Sequence, residues 1–473
     1  MLRDIIRKEI MDNVGTLKFV VTFVVVILLV ISGLIIGSKN YTEKVGDAQQ
    51  RLGTNREVLA AQNNWINAGY VGLFEAKVPY VLTIVDSGID DSLGRQAEIN
   101  LDIDTDLDES RNLVSPILAV FGNVDITFVV KIVLSLFVIM LTYDAISGEK
   151  ELGTLKLALA NEVPRYKILL GKILGGYSVI LIAFILPMII GLAFMMAFYP
   201  DVLGAFTADT WLRLLVIVGI YVVYLGVFFA AGLFVSSLCQ RSATSFIVLL
   251  MIWVLFVTII PKLSLVAAER LRPYESYSSL QTKAMKEIAQ GRSEILKEFS
   301  DQSRFAQAAQ KGELAEMIAS IFEKQSEFQQ EVLDKYDRQY EQQQAAQITL
   351  AESIARSLSP TSAMSFAVQN LAGSGWARQT EYLDQLRSFQ QEFRNYVFEE
   401  MKNLDDSDPQ KFFESFMGDK ELEVQQSRIN FQFREEDFAV TVSRTIWDIG
   451  LLIVLAMVFF AASFVAFIRY DVR

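Results

Sequence analysis

The sequence predicts a mainly α polytopic membrane protein: six transmembrane helices with a large, mostly helical extracytoplasmic domain containing a few β-strands. Three observations predict it. Six apolar runs are each long enough to cross a bilayer, which takes about 18–20 residues. Two long polar blocks separate them and are too charged to lie in hydrocarbon. The excess of apolar residues, 52% of the chain, is concentrated in the six runs.

The runs are 19–36, 124–142, 173–198, 211–238, 243–260 and 446–467, and the polar blocks are 38–123 and 262–445. The first run follows Arg3, Arg7, Lys8 and Lys18, as a signal peptide would. It is too long for a signal h-region and no small-residue cleavage site follows, so it reads as a retained span. Ile5, Ile6, Ile10, Val14 and Leu17 recur at helical spacing in residues 1–18. That pattern predicts an amphipathic interfacial helix, with a plain extension of the first span as the alternative.

Lys and Arg set the orientation. The N-terminus, the 143–172 connection (Lys150, Lys156, Arg165, Lys167, Lys172), the turn at Arg241 and the tail at Arg469 and Arg473 are basic. The connection after the third run has neither Lys nor Arg. Both termini are therefore expected in the cytoplasm of a bacterial inner membrane, with both blocks extracytoplasmic. The acid excess behind the net charge of −12 falls in those blocks and excludes a basic nucleic-acid surface.

In the first block, "REVLAAQNNWINAGY" is compatible with a helix and "VPYVLTIVDSGIDDSLG" reads as a strand ending in a turn. "EINLDIDTDLDES" alternates, with Ile99, Leu101 and Ile103 on one side and Asp102, Asp104, Asp106 and Asp108 on the other. A solvated strand explains this; a cation site is the other reading, without the glycine and terminal glutamate of an EF-hand loop. In the second block, Ile318, Ile321, Phe322, Phe328, Val332, Leu333 and Tyr336 form a helical seam, with Gly291 and Gly312 as expected breaks. Ser359, Pro360 and Gly373 mark the start and stop of a helix expected to rest at the outer membrane face. Residues 378–403 predict a last amphipathic helix.

Cys239 is the sole cysteine and reads as a packing residue, so the blocks hold without disulfides. The absence of histidine excludes a His-liganded zinc and a His-based triad. Lys131 lies about two turns into the second span, near Asp125, and either snorkels outward or serves a pathway or dimer contact. Gly175 and Gly176 suit a close helix approach or flexing in the third span, and with Asp125 and Lys131 are candidates for a pathway or dimer contact. Arg213 and Asp448 read as ordinary span-end charges.

The connection "YDAISGEKELGTLKLALANEVPRYKILLGK" carries the functional signal. Asp144 ends the second span, Ser147 suits an N-cap, and Glu149 and Glu151 suit a first helical turn. Leu152, Leu155 and Leu159 fall on one face of a continuous helix, and Pro164 ends it. Such a helix lies flat on the membrane and either docks another protein or anchors the span ends.

Residues 121–157 resemble the permease subunits of ABC-2 type exporters, in particular the NosY/GldF-like branch. The matching positions are Tyr143, Asp144, Ala145, Ser147, Gly148, Glu149, Glu151, Gly153, Thr154, Leu155, Lys156 and Leu157. "QRSATSFIVLLMIWVLFVTIIPKL" and "LSPTSAMSFAVQNLAGSG" resemble two further stretches of that branch. The size of the second block departs from it. The resemblance implies a chain that pairs with a second permease, the same or related, and docks two cytoplasmic ABC ATPase subunits. Its coupling helix would use Asp144, Gly148, Glu149, Lys150, Glu151, Gly153, Thr154, Leu155 and Leu159. The chain has no G-x-x-x-x-G-K-[ST] loop, so ATP and Mg would sit on the partner ATPases and no cofactor on this chain. Two other readings stay open: a mechanotransmission complex acting on a periplasmic protein, and a membrane sensor or scaffold without an ATPase.

Overall fold

The computed structural model describes residues 2–62, 64–90, 96–101, 107–108, 124–160, 164–298, 314–402 and 429–469. Among these, six helices are long and apolar enough to cross a membrane. Helix α1 (Leu2–Val14) precedes α2 (Leu17–Ala60), the first span. Thr16 starts α2, its hydroxyl accepting from the Phe19 N–H at 3.2 Å. At 1.5 Å per residue, 44 residues make a rod of about 65 Å, twice the hydrocarbon thickness. The first span thus continues without a break into the first polar block. Gly33 and Gly37 let α2 press against backbone there: a Cβ at either would lie 3.0 Å from the Val124 or Ile84 carbonyl oxygen.

Beyond α2 come α3 (Trp65–Val71), capped by Asn64, and strand β1 (Leu73–Ala76). The segment after Pro79 forms a buried 3-10 turn, Val81–Ile84, where a strand was expected. The turn fills the space that Gly37 leaves open against α2, so packing decides its backbone. The acidic ladder also differs from a single strand. β2 (Gln96–Ile99) pairs antiparallel with β1 and with β3 (Leu107–Asp108), in the register Ala97↔Leu107. Ile99 and Leu101 are buried as the alternation requires. Ile103, Asp102, Asp104 and Asp106 lie outside the described residues.

The second span, α4, runs as α-helix Ile126–Phe128, a π turn Val129–Leu134 and α-helix Ser135–Thr142. Short helices α5 (Ser147–Glu151) and α6 (Thr154–Ala160) follow. The remaining spans are α7 (Arg165–Phe198), α9 (Ala208–Leu238) and α10 (Ser242–Leu271, with a π turn at Leu255–Ile259). Helix α8 (Pro200–Gly204) joins α7 to α9.

The second block holds α11 (Tyr277–Glu298), α12 (Leu314–Leu358), α13 (Pro360–Ala372) and α14 (Trp376–Lys402), and α15 (Phe438–Ile468) is the last span. Helices α11 and α12 pack along the predicted seam through Ala284, Ile288, Phe328, Val332, Leu333 and Tyr336. Gly291 is no break. It sits inside α11 as a notch for Phe328, whose ring a Cβ would strike at 2.1 Å. Gly312 lies outside the described residues. α13 starts at Ser359 and ends at Gly373, in the left-handed region at φ 63°, as its sequence predicts. Its position differs from a helix lying on the membrane face. Thr361, Met364, Ala367, Val368 and Leu371 are buried between α9 and α15. The small residues Ala363, Ala367 and Ala372 allow that insertion.

Two cores result. One fills the bundle around Phe137, Phe184, Tyr221 and Tyr224. The other fills the head, formed by both polar blocks, around Leu59, Leu73, Ile99, Tyr382, Phe393 and Tyr396. Glu75 on β1 shares a face with Leu73, is 2% exposed, and one of its carboxylate oxygens has no hydrogen-bond partner. Burial pushes its carboxyl up to about 8. Because the folded value lies above the ordinary 4.5, Glu75 favours the folded head fully below pH 4.5. That contribution falls as pH rises towards about 8. Three pH units at about 1.4 kcal/mol each amount to about 4 kcal/mol near pH 7.5. Glu75→Gln should therefore stabilise the head by a few kcal/mol at pH 7.5 and flatten its pH dependence, read from thermal unfolding between pH 5 and 8.

Candidate functional site: the lever between the second and third spans

One end of the bundle gathers α1, the 143–160 connection, the α9–α10 turn and the last turn of α15. Arg165 Nη1, for example, donates to the Ile468 carbonyl at 2.5 Å. This is the end carrying Lys18, Arg165, Lys167, Lys172, Arg241 and Arg469, and we call it the basic end.

The connection does not form one helix. Leu152 closes α5, and Gly153 at φ 74° turns the chain before α6. The left-handed conformation favours glycine there, while nothing crowds a Cβ. The break separates the leucines that a continuous helix would align. Leu155 is fully buried, whereas Leu152 is 77% exposed. The Leu159 side chain lies outside the described residues. Leu157, which the expected stripe did not include, is 68% exposed. Ser147 does not cap α5; Ile146 holds that position. The Ser147 hydroxyl donates to the Tyr143 carbonyl at 2.7 Å. The Ile146 and Ser147 N–H groups donate to Ser236 Oγ at 3.1 and 3.0 Å. These are the free amides of a helix start, satisfied by a side chain from α9.

The charged residues of α5 turn towards the protein's own spans. Glu149 Oε1 lies 2.8 Å from Lys172 Nζ, and Lys172, 6% exposed on α7, also holds Glu9 of α1 at 2.9 Å. A buried ammonium thus has two carboxylates, which offset its desolvation. Lys150 donates to the Ser237 carbonyl and, at 3.4 Å, to that of Cys239, at the C-terminus of α9. Glu151 Oε2 accepts the Ser242 N–H and hydroxyl, each at 3.0 Å, at the N-terminus of α10. A cation closes one helix and an anion opens the next, each complementing its macrodipole. Asp144 pairs with Lys18 of α2 at 3.4 Å, and Lys18 lies over the Tyr143 ring. Gly148 gives the space for this, its Cβ position being 3.3 Å from Asp144 Cβ.

Helix α1 packs alongside α7. A Cβ on Gly171 would strike Ile5, and one on Gly175 would strike Glu9. Gly176 faces Phe229 of α9. Both predicted glycines therefore serve close approach. Thr154 and Lys156 are exposed. Of the strap partners, Lys172 lies in the quoted connection, whereas Glu9, Ser236 and Ser242 come from distant segments that carry no shared motif.

At the opposite end, Asp125 caps α4 through the Phe128 N–H at 2.7 Å. Lys131 sits in the π turn of α4, whose freed carbonyl at Lys131 accepts from Ser135 Oγ at 2.5 Å and Tyr224 Oη at 3.2 Å. Arg213 and Asp448 need more account than ordinary span-end charges do. Arg213 is 5% exposed, pairs with Asp209 at 2.7 Å, and donates to Thr441 and the Glu436 carbonyl. Asp448 is fully buried and pairs with Arg356 at the end of α12, at 2.6 Å. Head packing against the spans removes water from both. Among the described residues no cluster of His, Cys, Asp and Glu could hold a metal ion.

Six spans, a strapped pair of short helices at the basic end and a helical head at the other define a multi-pass membrane subunit of transporter type. The chain belongs to the ABC-2 transporter family: the family model for an ABC-2 family transporter protein matches residues 3–472. No curated protein and no solved structure matches the chain significantly.

Proposed function

We propose that this chain is the permease subunit of an ABC-2 type complex whose ATP is bound and hydrolysed, with Mg, on separate cytoplasmic ATPase subunits, two per assembly. The basic end faces the cytoplasm of a bacterial inner membrane, by the positive-inside rule. The observation that carries this reading is the lever α5–α6. The charges of α5 are strapped to α7, α9 and α10, and Asp144 just before it to α2, while Leu152 and Leu157 stand free at its tip. In this reading the ATPase grips those leucines around Gly153 and Thr154, and Glu149, Lys150 and Glu151 pass its motion into the spans.

A second permease chain supplies the other half. Ile247, Met251, Leu255, Ile259, Leu263 and Val266 form one exposed apolar stripe along α10. The stripe spans about 28 Å, close to the hydrocarbon core of about 30 Å. In this reading a second copy seats its own stripe against this one and covers it. The NosY/GldF-like branch fits the motif at Tyr143–Leu157. Work on a periplasmic protein, in place of export, is favoured by one feature: α13 builds the head directly into the bundle.

The test is purification from the native membrane, followed by cross-linking in a Cys239→Ser chain. A nucleotide-hydrolysing subunit should co-elute and cross-link to Leu157→Cys, and Leu263→Cys should cross-link to a second permease. An isolated chain with no such subunit would sink the proposal in favour of a sensor or scaffold.

A further inference from the structure

Where the head meets the second span, two buried acids, Asp86 and Asp125, lie within electrostatic reach of Lys131. Asp86 is 2% exposed and accepts the Ser374 hydroxyl at 2.6 Å, in the turn between α13 and α14. Asp125 Oδ2 accepts the Ser87 N–H and hydroxyl, each at 3.1 Å, while its Oδ1 caps α4. The backbone reinforces this. The Ile126 N–H donates to the Val85 carbonyl at 3.1 Å and the Ile89 N–H to the Ser374 carbonyl at 3.0 Å. Gly88, at φ 49°, brings its loop so close that a Cβ would lie 2.5 Å from Ser374 Oγ. One knot therefore binds the first polar block, the second polar block and the start of α4.

We propose that Asp86, Asp125 and Lys131 form a pH-sensitive joint, closed while the two carboxyls hold one proton between them and loosened when that proton leaves. The charge count argues for it. The Lys131 charge acts on both acids and can offset one carboxylate, and each acid feels the other, so two like charges there are costly. The other titratable groups facing the joint are Tyr221 of α9, which shares a 2.7 Å hydrogen bond with Thr127, and Tyr41 and Lys44 of α2, which line the groove beside Asp125. Burial raises the Asp86 carboxyl. Burial and then the Asp86 charge push Asp125 up to about 7. Both carboxyls are raised above the ordinary 3.8, so the joint weakens as the shared proton leaves with pH rising through about 7.

The test is amide hydrogen exchange on the whole chain in lipid nanodiscs, corrected for the intrinsic rate, at the Ser87 and Phe128 amides. Exchange in the wild type should rise about tenfold or more between pH 6 and pH 8.5. Asp86→Asn should move that step to lower pH, and Lys131→Met should move it to higher pH. Asp125→Asn should abolish it. A flat wild-type profile overturns the joint, and so does a step that stays at one pH in Asp86→Asn and Lys131→Met.

Discussion

A chain carrying Leu152→Asp and Leu157→Asp should fold, insert and lose its ATPase. Both side chains are mostly exposed and neither supports the core, so removing them costs the permease little. Covered by a partner, each leucine would contribute about 1.5–3 kcal/mol. Replacing both by a charge should weaken association by at least 100-fold, since each 1.4 kcal/mol is tenfold. Co-purification and permease-linked ATP hydrolysis should fall together while the thermal midpoint of the permease holds. Glu149→Lys should behave differently. It sets a cation against Lys172, so the basic end itself should unfold earlier, and lost association would follow from a loosened lever. Equal ATPase binding in wild type and the double-leucine variant would remove the lever tip from the mechanism.

Arg356→Met should destabilise the junction of head and bundle by about 3 kcal/mol, the cost of leaving a buried charge without its partner. Asp448 is fully buried and has no hydrogen-bond partner among the described residues, so Arg356, 2.6 Å away, is its compensation. Adding Asp448→Leu to Arg356→Met should recover most of the loss, because an apolar pair needs no desolvation. Thermal unfolding of the two single variants and the double variant in nanodiscs measures the coupling. Additive losses would show that the pair is not what holds α12 to α15.

Hydropathy made the six spans legible, because a bilayer leaves a helix few alternatives to about 20 apolar residues. Local rules made α13 legible end to end: Ser359 caps, Pro360 opens and Gly373 closes. Non-local packing defeated the rest. A helical face at Leu152, Leu155 and Leu159 presumes an unbroken helix, and Gly153 ends it. The motif marked the 143–172 connection, yet the direction of its charges depends on Lys172, Ser236 and Ser242. Gly291 looked like a stop because the matching bulk, Phe328, belongs to another helix. Asp448 looked peripheral because its arginine arrives from 92 positions earlier in the chain.

Helix α2 has a consequence for the stroke of any machine built on this chain. It starts beside the lever, with Lys18 held by Asp144, and ends with Leu59 sealed in the head. No proline interrupts it. A push-rod of about 65 Å pivoting by about 5° at its foot sweeps its tip through about 6 Å. Small rearrangements at one membrane surface would then arrive at the other enlarged, without any joint between them to absorb the travel.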